Sequence, residues 1–164
     1  MTHITIEYMI MMPVLILQIF LFPLAANLLM NIWVDSRRTI ALQDAASHLG
    51  SAMQQLYFSL NHETISTGKV TYSPGLPPFI ENNYYVGTAT LRTVLDPTLN
   101  SSKTLELTVT LANTGTTVHA SVILGPNVQW QDSDFVSNST NACISAEKLS
   151  FPNGTTNIRV QFGE

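Results

Sequence analysis

The 164-residue chain is poor in charge and almost without cysteine. Charged residues make up 11% of it, Lys and Arg number seven, and the net charge is −4. Cations so few and so dispersed form no phosphate-binding stripe, so nucleic acid is not an expected partner. The single cysteine, Cys143, excludes an intrachain disulfide and a multi-cysteine metal site; it reads as a small buried hydrophobe. His3, His48, His62 and His119 are scattered, without the His-Glu-x-x-His spacing that a zinc site uses. Asp132-Ser133-Asp134 lacks the following Gly and Glu of a calcium loop and reads as a solvated acidic turn. No P-loop, dinucleotide fingerprint or nucleophile elbow is present. These gaps leave no catalytic residue to name and no cofactor to expect, and the chain reads as a non-enzyme.

What the chain has in abundance is one uninterrupted apolar run. Tyr8 to Val34, twenty-seven residues, contains no charge, and Leu, Ile, Val and Phe fill fourteen of its positions. As a helix it extends roughly 40 Å, more than the hydrocarbon core of a bilayer. Its insertion is favoured by roughly 5–7 kcal/mol before polar costs. A cleaved secretory signal needs a basic start, a shorter apolar core and small residues before the cut. This N-terminus has no Lys or Arg ahead of the run, which ends in Ile32-Trp33-Val34, so a retained single-pass membrane helix is the expectation. Pro13 and Pro23 interrupt the run, and in a membrane such prolines kink a helix rather than end it. Gln18 lies near mid-depth, where a polar side chain suits an interhelical hydrogen bond, whereas Asn27 and Asn31 fit the headgroup level beside Trp33.

The helix is expected to continue past Asp35-Ser36-Arg37-Arg38, because no Pro or Gly follows until Gly50. Leu42, Ala46, Leu49, Met53, Leu56 and Leu60 recur at spacings of four and three, one apolar seam flanked by Gln43, Gln54 and Gln55. Under three heptads long, the seam fits packing onto a neighbour, onto the chain's own domain or into a coiled coil. Gly50 marks a close approach or a bend. The division is thus 1–7, a short N-terminal motif; 8–34, the apolar helix; 35–62, its amphipathic extension; and 63–164, a β-rich domain.

Beyond Asn61 the pattern turns to period two. Leu105, Leu107, Val109 and Leu111 alternate with polar residues, as do Val118, Ala120, Val122 and Leu124, with Asn113-Thr114-Gly115 between them. That predicts an antiparallel hairpin. Weaker strands are expected at 69–73, 84–94, 128–131, 142–149 and 157–163, giving seven strands in a small antiparallel β-sandwich-like head. The fold class is therefore α+β, a long membrane-to-amphipathic helix followed by that head. The region holds three N-glycosylation sequons, at Asn100, Asn138 and Asn153, all in turn-like stretches. Their number is near chance; their positions suit an exported surface.

His3-Ile4-Thr5-Ile6-Glu7-Tyr8, directly ahead of the long apolar helix, resembles the N-terminus of type IV pilins, especially archaeal class III signal-peptide proteins. In that family a dedicated peptidase removes a leader, leaving a glutamate at the fifth mature position. A cut before His3 would place Glu7 there, with Met1-Thr2 as leader; this dipeptide lacks the family's basic residues and its Gly or Ala before the cut. The resemblance implies a filament subunit whose apolar helix packs against copies of itself. Glu7 would then pair with the amine of a neighbouring N-terminus, because an unpaired carboxylate in such a core is costly. The assembly residues so implied are Glu7, His3 and Gln18, and the implied partners are membrane lipid, further copies of the chain, the prepilin peptidase and the assembly machinery. The implied location is the cell membrane, with the C-terminal domain extracellular and used in adhesion. Arg37 and Arg38 point the other way on the positive-inside rule. The alternative is an anchored surface protein that displays a β-sandwich binding domain and does not polymerise.

Overall fold

A computed structural model describes residues 2–93, 102–152 and 154–163, with side chains from residue 9 onward. The first element, α1, runs without a break over Thr2–Leu60 and contains both Pro13 and Pro23. Compact units divide the chain between Arg37 and Arg38. The first unit is helical and apolar. The second, Arg38–Glu164, holds the rest of α1 and every strand.

In the second unit the seam on α1 is fully used. Leu42, Ala46, Leu49, Met53, Leu56 and Leu60 are all buried, together with Ala45, Ala52 and Tyr57. They belong to one apolar cluster with the strands, so the extension packs on the chain's own domain and not into a coiled coil. Gly50 lies at a tight approach of α1 to the sheet: a Cβ there would stand 2.8 Å from Val122 Cγ2. Contact that tight leaves no room for a side chain, which explains a glycine in mid-helix despite its cost of about 1 kcal/mol. The helix ends at Leu60, two residues short of the expected 62, and Gly68 opens a strand.

Among the described residues eight strands follow: β1 Gly68–Tyr72, β2 Tyr85–Thr93, β3 Lys103–Leu111, β4 Thr117–Leu124, β5 Val128–Trp130, β6 Asp134–Val136, β7 Ile144–Ser150 and β8 Thr156–Phe162. They form two four-stranded sheets, ordered β1-β7-β8-β5 and β4-β3-β2-β6. The β3–β4 hairpin forms as its alternation requires, with Thr110 opposite Thr117 and Asn113 and Gly115 at positive φ in the turn. Leu105, Leu107, Val109 and Leu111 face inward and are wholly buried. Opposite them Ile144, Ala146, Ile158, Val160 and Phe162 line the other sheet, and the two inner faces with α1 make the sandwich-like head.

Two sequence expectations need correction. The sheets are not wholly antiparallel, because β5 pairs parallel with β8, Val128 opposite Ile158 and Trp130 opposite Val160. A strand of three residues carries no periodicity from which direction can be read. Among the described residues the strands also number eight, since Asp134, assigned to a solvated acidic turn, opens β6. Phe135 of that strand is buried, with its ring centroid 6.2 Å from Tyr85 and 5.6 Å from Phe162. One aromatic in three residues anchors this strand, too little for alternation to show.

Buried polar groups lock the loops to this frame. Ser137 Oγ accepts the Tyr85 amide at 2.9 Å and donates to the Pro78 carbonyl at 2.8 Å. The Tyr85 hydroxyl donates to the Pro77 carbonyl at 2.9 Å. Burial raises the Tyr85 phenol from 10.0 to about 12, because a phenolate there would be desolvated. As pH passes 10 the unfolded chain loses this proton while the folded chain keeps it, so alkali favours unfolding. Stability from this group is therefore complete below pH 10 and is lost as pH rises towards 12. Urea midpoints measured across that window should fall less steeply for Tyr85→Phe than for the parent; equal slopes would contradict a buried, protonated phenol.

Candidate functional site: the uncovered apolar helix

Charge-free sequence, helix propensity and length place the apolar segment of α1 in one helix, and every residue from 9 to 33 is exposed. Phe20 is 74% and Phe22 80% exposed, with Leu, Ile and Met around the whole circumference. Burying one such side chain is worth about 1.5–3 kcal/mol, so a segment like this is not stable facing water. The helix is long and apolar enough to cross a membrane.

Its polar features are few. Pro23 supplies no N–H to the carbonyl of Ile19, nor Pro13 to that of Met9, so both carbonyls lose their usual helical donor. Gln18, Ile19, Phe22 and Pro23 line one shallow concavity, which sets the Gln18 amide beside the turn loosened by Pro23. Gln18 is exposed there. His3 and Glu7 lie in the first turns of α1, and their side chains fall outside the described residues. The two arginines have separate settings. The Arg37 guanidinium lies 4.9 Å from the centroid of the Trp33 ring. Arg38 Nε donates to Glu81 Oε2 at 2.7 Å.

Of the three sequons, Asn100 and Asn153 lie outside the described residues. Asn138 follows β6 in an exposed turn, with Ser139 and Thr140 exposed beside it, a geometry open to a modifying enzyme. The remaining motifs have structural roles. Ser133 of the acidic triplet accepts the Phe162 amide at 2.8 Å and donates to the Gln131 carbonyl at 2.9 Å, tying the approach to β6 onto β8. His119 Nδ1 and Thr108 Oγ1 are 3.0 Å apart across β3 and β4. Among the described residues no three His, Cys, Asp or Glu side chains gather where they could hold a metal ion.

Several anchoring residues escape a reading of the sequence. Lys148 is buried on the core side of β7, and its ammonium donates to the His62 carbonyl at 2.9 Å, just past the end of α1. A cation is favourable there because a helix C-terminus carries partial negative charge. Gln43 and Gln54 donate to the carbonyls of His119 and Ile123, both at 3.3 Å, and so bridge α1 to the β4 backbone. Only the glutamines' place beside the seam hints at this. A long apolar helix followed by a β-sheet head is compatible with a pilin-like fold. Comparison with known proteins finds no matching family model, no similar curated protein and no similar solved structure.

Proposed function

We propose that this chain is a structural subunit of a cell-surface filament of the type IV pilin kind, archaeal in type, inserted in the membrane before assembly and used in adhesion. One observation carries the reading: the two parts of α1 differ in how their apolar surface is satisfied. The seam from Leu42 to Leu60 is buried inside the chain's own head, whereas residues 9–33 are exposed. Cohesion for that segment must come from outside, first from lipid and then from the same segment of other copies. The motif ending at Glu7 fits this, since a carboxylate entering a helix bundle needs a counter-charge, which a neighbouring N-terminal amine supplies.

On this reading the head lies outside the cell, where the Asn138 turn is open to glycosylation. The positive-inside rule weighs cations that flank a span; here Arg38 is held by Glu81 and Arg37 lies over Trp33. The mature N-terminus tests the proposal. Mass spectrometry of protein sheared from cells should find a new terminus at His3, and electron microscopy should show filaments that bind an antibody to the head. An intact Met1 on a protein that shear leaves in the membrane would instead favour a non-polymerising, anchored display module.

A further inference from the structure

We propose that the C-terminal end of α1, the 125–127 turn and the start of β8 together form a binding site for a neutral saccharide. The proposal uses the head alone and depends neither on membrane insertion nor on filament assembly.

The site is assembled around one buried tyrosine. Tyr57, in the last turn of α1, is 3% exposed, yet its hydroxyl reaches the turn Gly125-Pro126-Asn127. Glycine at 125 makes room for it, because a Cβ there would overlap the hydroxyl. The hydroxyl donates to Asn127 Oδ1 at 2.6 Å, and Asn127 Nδ2 donates to Asn61 Oδ1 at 2.9 Å. Backbone bonds hold both asparagines: the Asn61 amide donates to the Tyr57 carbonyl and the Ile158 amide to the Asn127 carbonyl, each at 2.8 Å. The second of these brings Thr156 and Asn157 alongside the turn. Asn61, Pro126, Asn127, Thr156 and Asn157 line, with Tyr57, one concavity of about 520 Å³. That is the size of a small-molecule site.

The polar atoms there are oriented but only partly used. Both ends of the Asn127 side chain are engaged, so its direction is set, and it holds the Asn61 oxygen in turn. Asn61 Nδ2, the Thr156 hydroxyl and the Asn157 side-chain amide have no partner among the described residues. No Asp, Glu, Lys, Arg or His is among the described residues that line the concavity. An ionised ligand would find no counter-charge in it, and an apolar one would strip water from amides and hydroxyls without replacing it. An extended peptide needs an open strand edge, whereas β8 is paired on both sides, with β7 and with β5. A sugar meets the demand. Each of its hydroxyls both donates and accepts, and its C–H face packs on an exposed ring such as that of Pro126.

The full-length protein, labelled with nitrogen-15 and held in phosphatidylcholine nanodiscs, tests this by NMR titration. The probes are mannotriose, maltotriose and triacetylchitotriose, with trigalacturonate as the charged control. The side-chain amide signals of Asn61 and Asn157 should shift saturably with at least one neutral trisaccharide and not with trigalacturonate. Asn61→Ala and Thr156→Val should each weaken that binding about fivefold, the loss of one hydrogen bond. Unchanged melting of both variants would show that the head stays folded. Tyr57→Phe, a change at a positioning residue, should move the Asn61 amide signals before any sugar is added and weaken binding as well. No saturable shift with any neutral trisaccharide would overturn the site, as would parental affinity in the Asn61 and Thr156 variants. Tighter binding of trigalacturonate would overturn its neutral character. Sugar of this chemistry comes from a foreign surface or from a glycan on another copy. Glycosylated copies that separate when the trisaccharide is added trace it to a copy; copies that stay apart throughout, yet bind, trace it to a foreign surface.

Discussion

Glu7→Ala should abolish recovery of the protein in sheared filaments while leaving the chain in the membrane. Insertion depends on apolar length, which the substitution leaves intact and slightly extends. In the proposed filament, assembly would depend on what happens to one carboxylate when helices leave lipid and pack together. Removing one partner of a buried, hydrogen-bonded charge pair costs about 3–5 kcal/mol, because the other charge is left unpaired. An axial repeat multiplies that cost along the filament, so the expected effect is loss of filament and not a shift in yield. Glu7→Gln distinguishes charge from shape: it keeps the hydrogen-bonding capacity but not the charge, and it should fail as well. Filament yields equal to the parent for both variants would show that Glu7 sets no register.

Leu49→Ala should produce a large loss of head stability. Leu49 is wholly buried, and its Cδ1 stands 3.8 Å from where a Cβ on Gly87 of β2 would be, so its side chain fills the helix–sheet contact. Truncating a buried leucine costs about 2–5 kcal/mol through lost transfer energy and the cavity left behind. For a unit of this size that corresponds to a fall in melting temperature of roughly 10 °C or more. The result separates two ways of using the seam. If α1 extended into a coiled coil with neighbouring copies, the isolated protomer would melt as before and only the assembly would weaken. Loss of protomer stability, followed by the near-ultraviolet circular dichroism of the head, is the outcome the packing requires.

Much of the fold could be read from the chain because its strongest elements carry their periodicity openly. The apolar run, the four-three spacing from Leu42 to Leu60 and the alternation in β3 and β4 each repeat often enough for a single face to stand out. What escaped reading lay in short or long-range features. β6 rests on Phe135 alone, and the parallel pairing of β5 depends on a partner that lies thirty residues away. Lys148 takes an inward position between Ala146 and Ser150, where alternation demands an apolar residue and only the carbonyl of His62 explains a lysine. Arg38 was legible as a charge flanking a span, but its bond to Glu81 joins residues forty-three apart. The candidate site was legible for the opposite reason: it consists of what the fold leaves uncovered, and its composition shows that before any packing is known.

The sheet order has a consequence for biosynthesis. β8, the last of the described strands, is not an edge but lies between β7 and β5, and it supplies Ile158, Val160 and Phe162 to the core that also receives α1. The buried stripe of α1 is synthesised first and meets that strand last. At ordinary ribosomal speeds, roughly 5–20 s separate the two events. Throughout that interval the nascent polypeptide behind the apolar helix has no complete sandwich to collapse into. Closure of the head awaits β8, so this strand completes the sandwich that the helix stripe entered first.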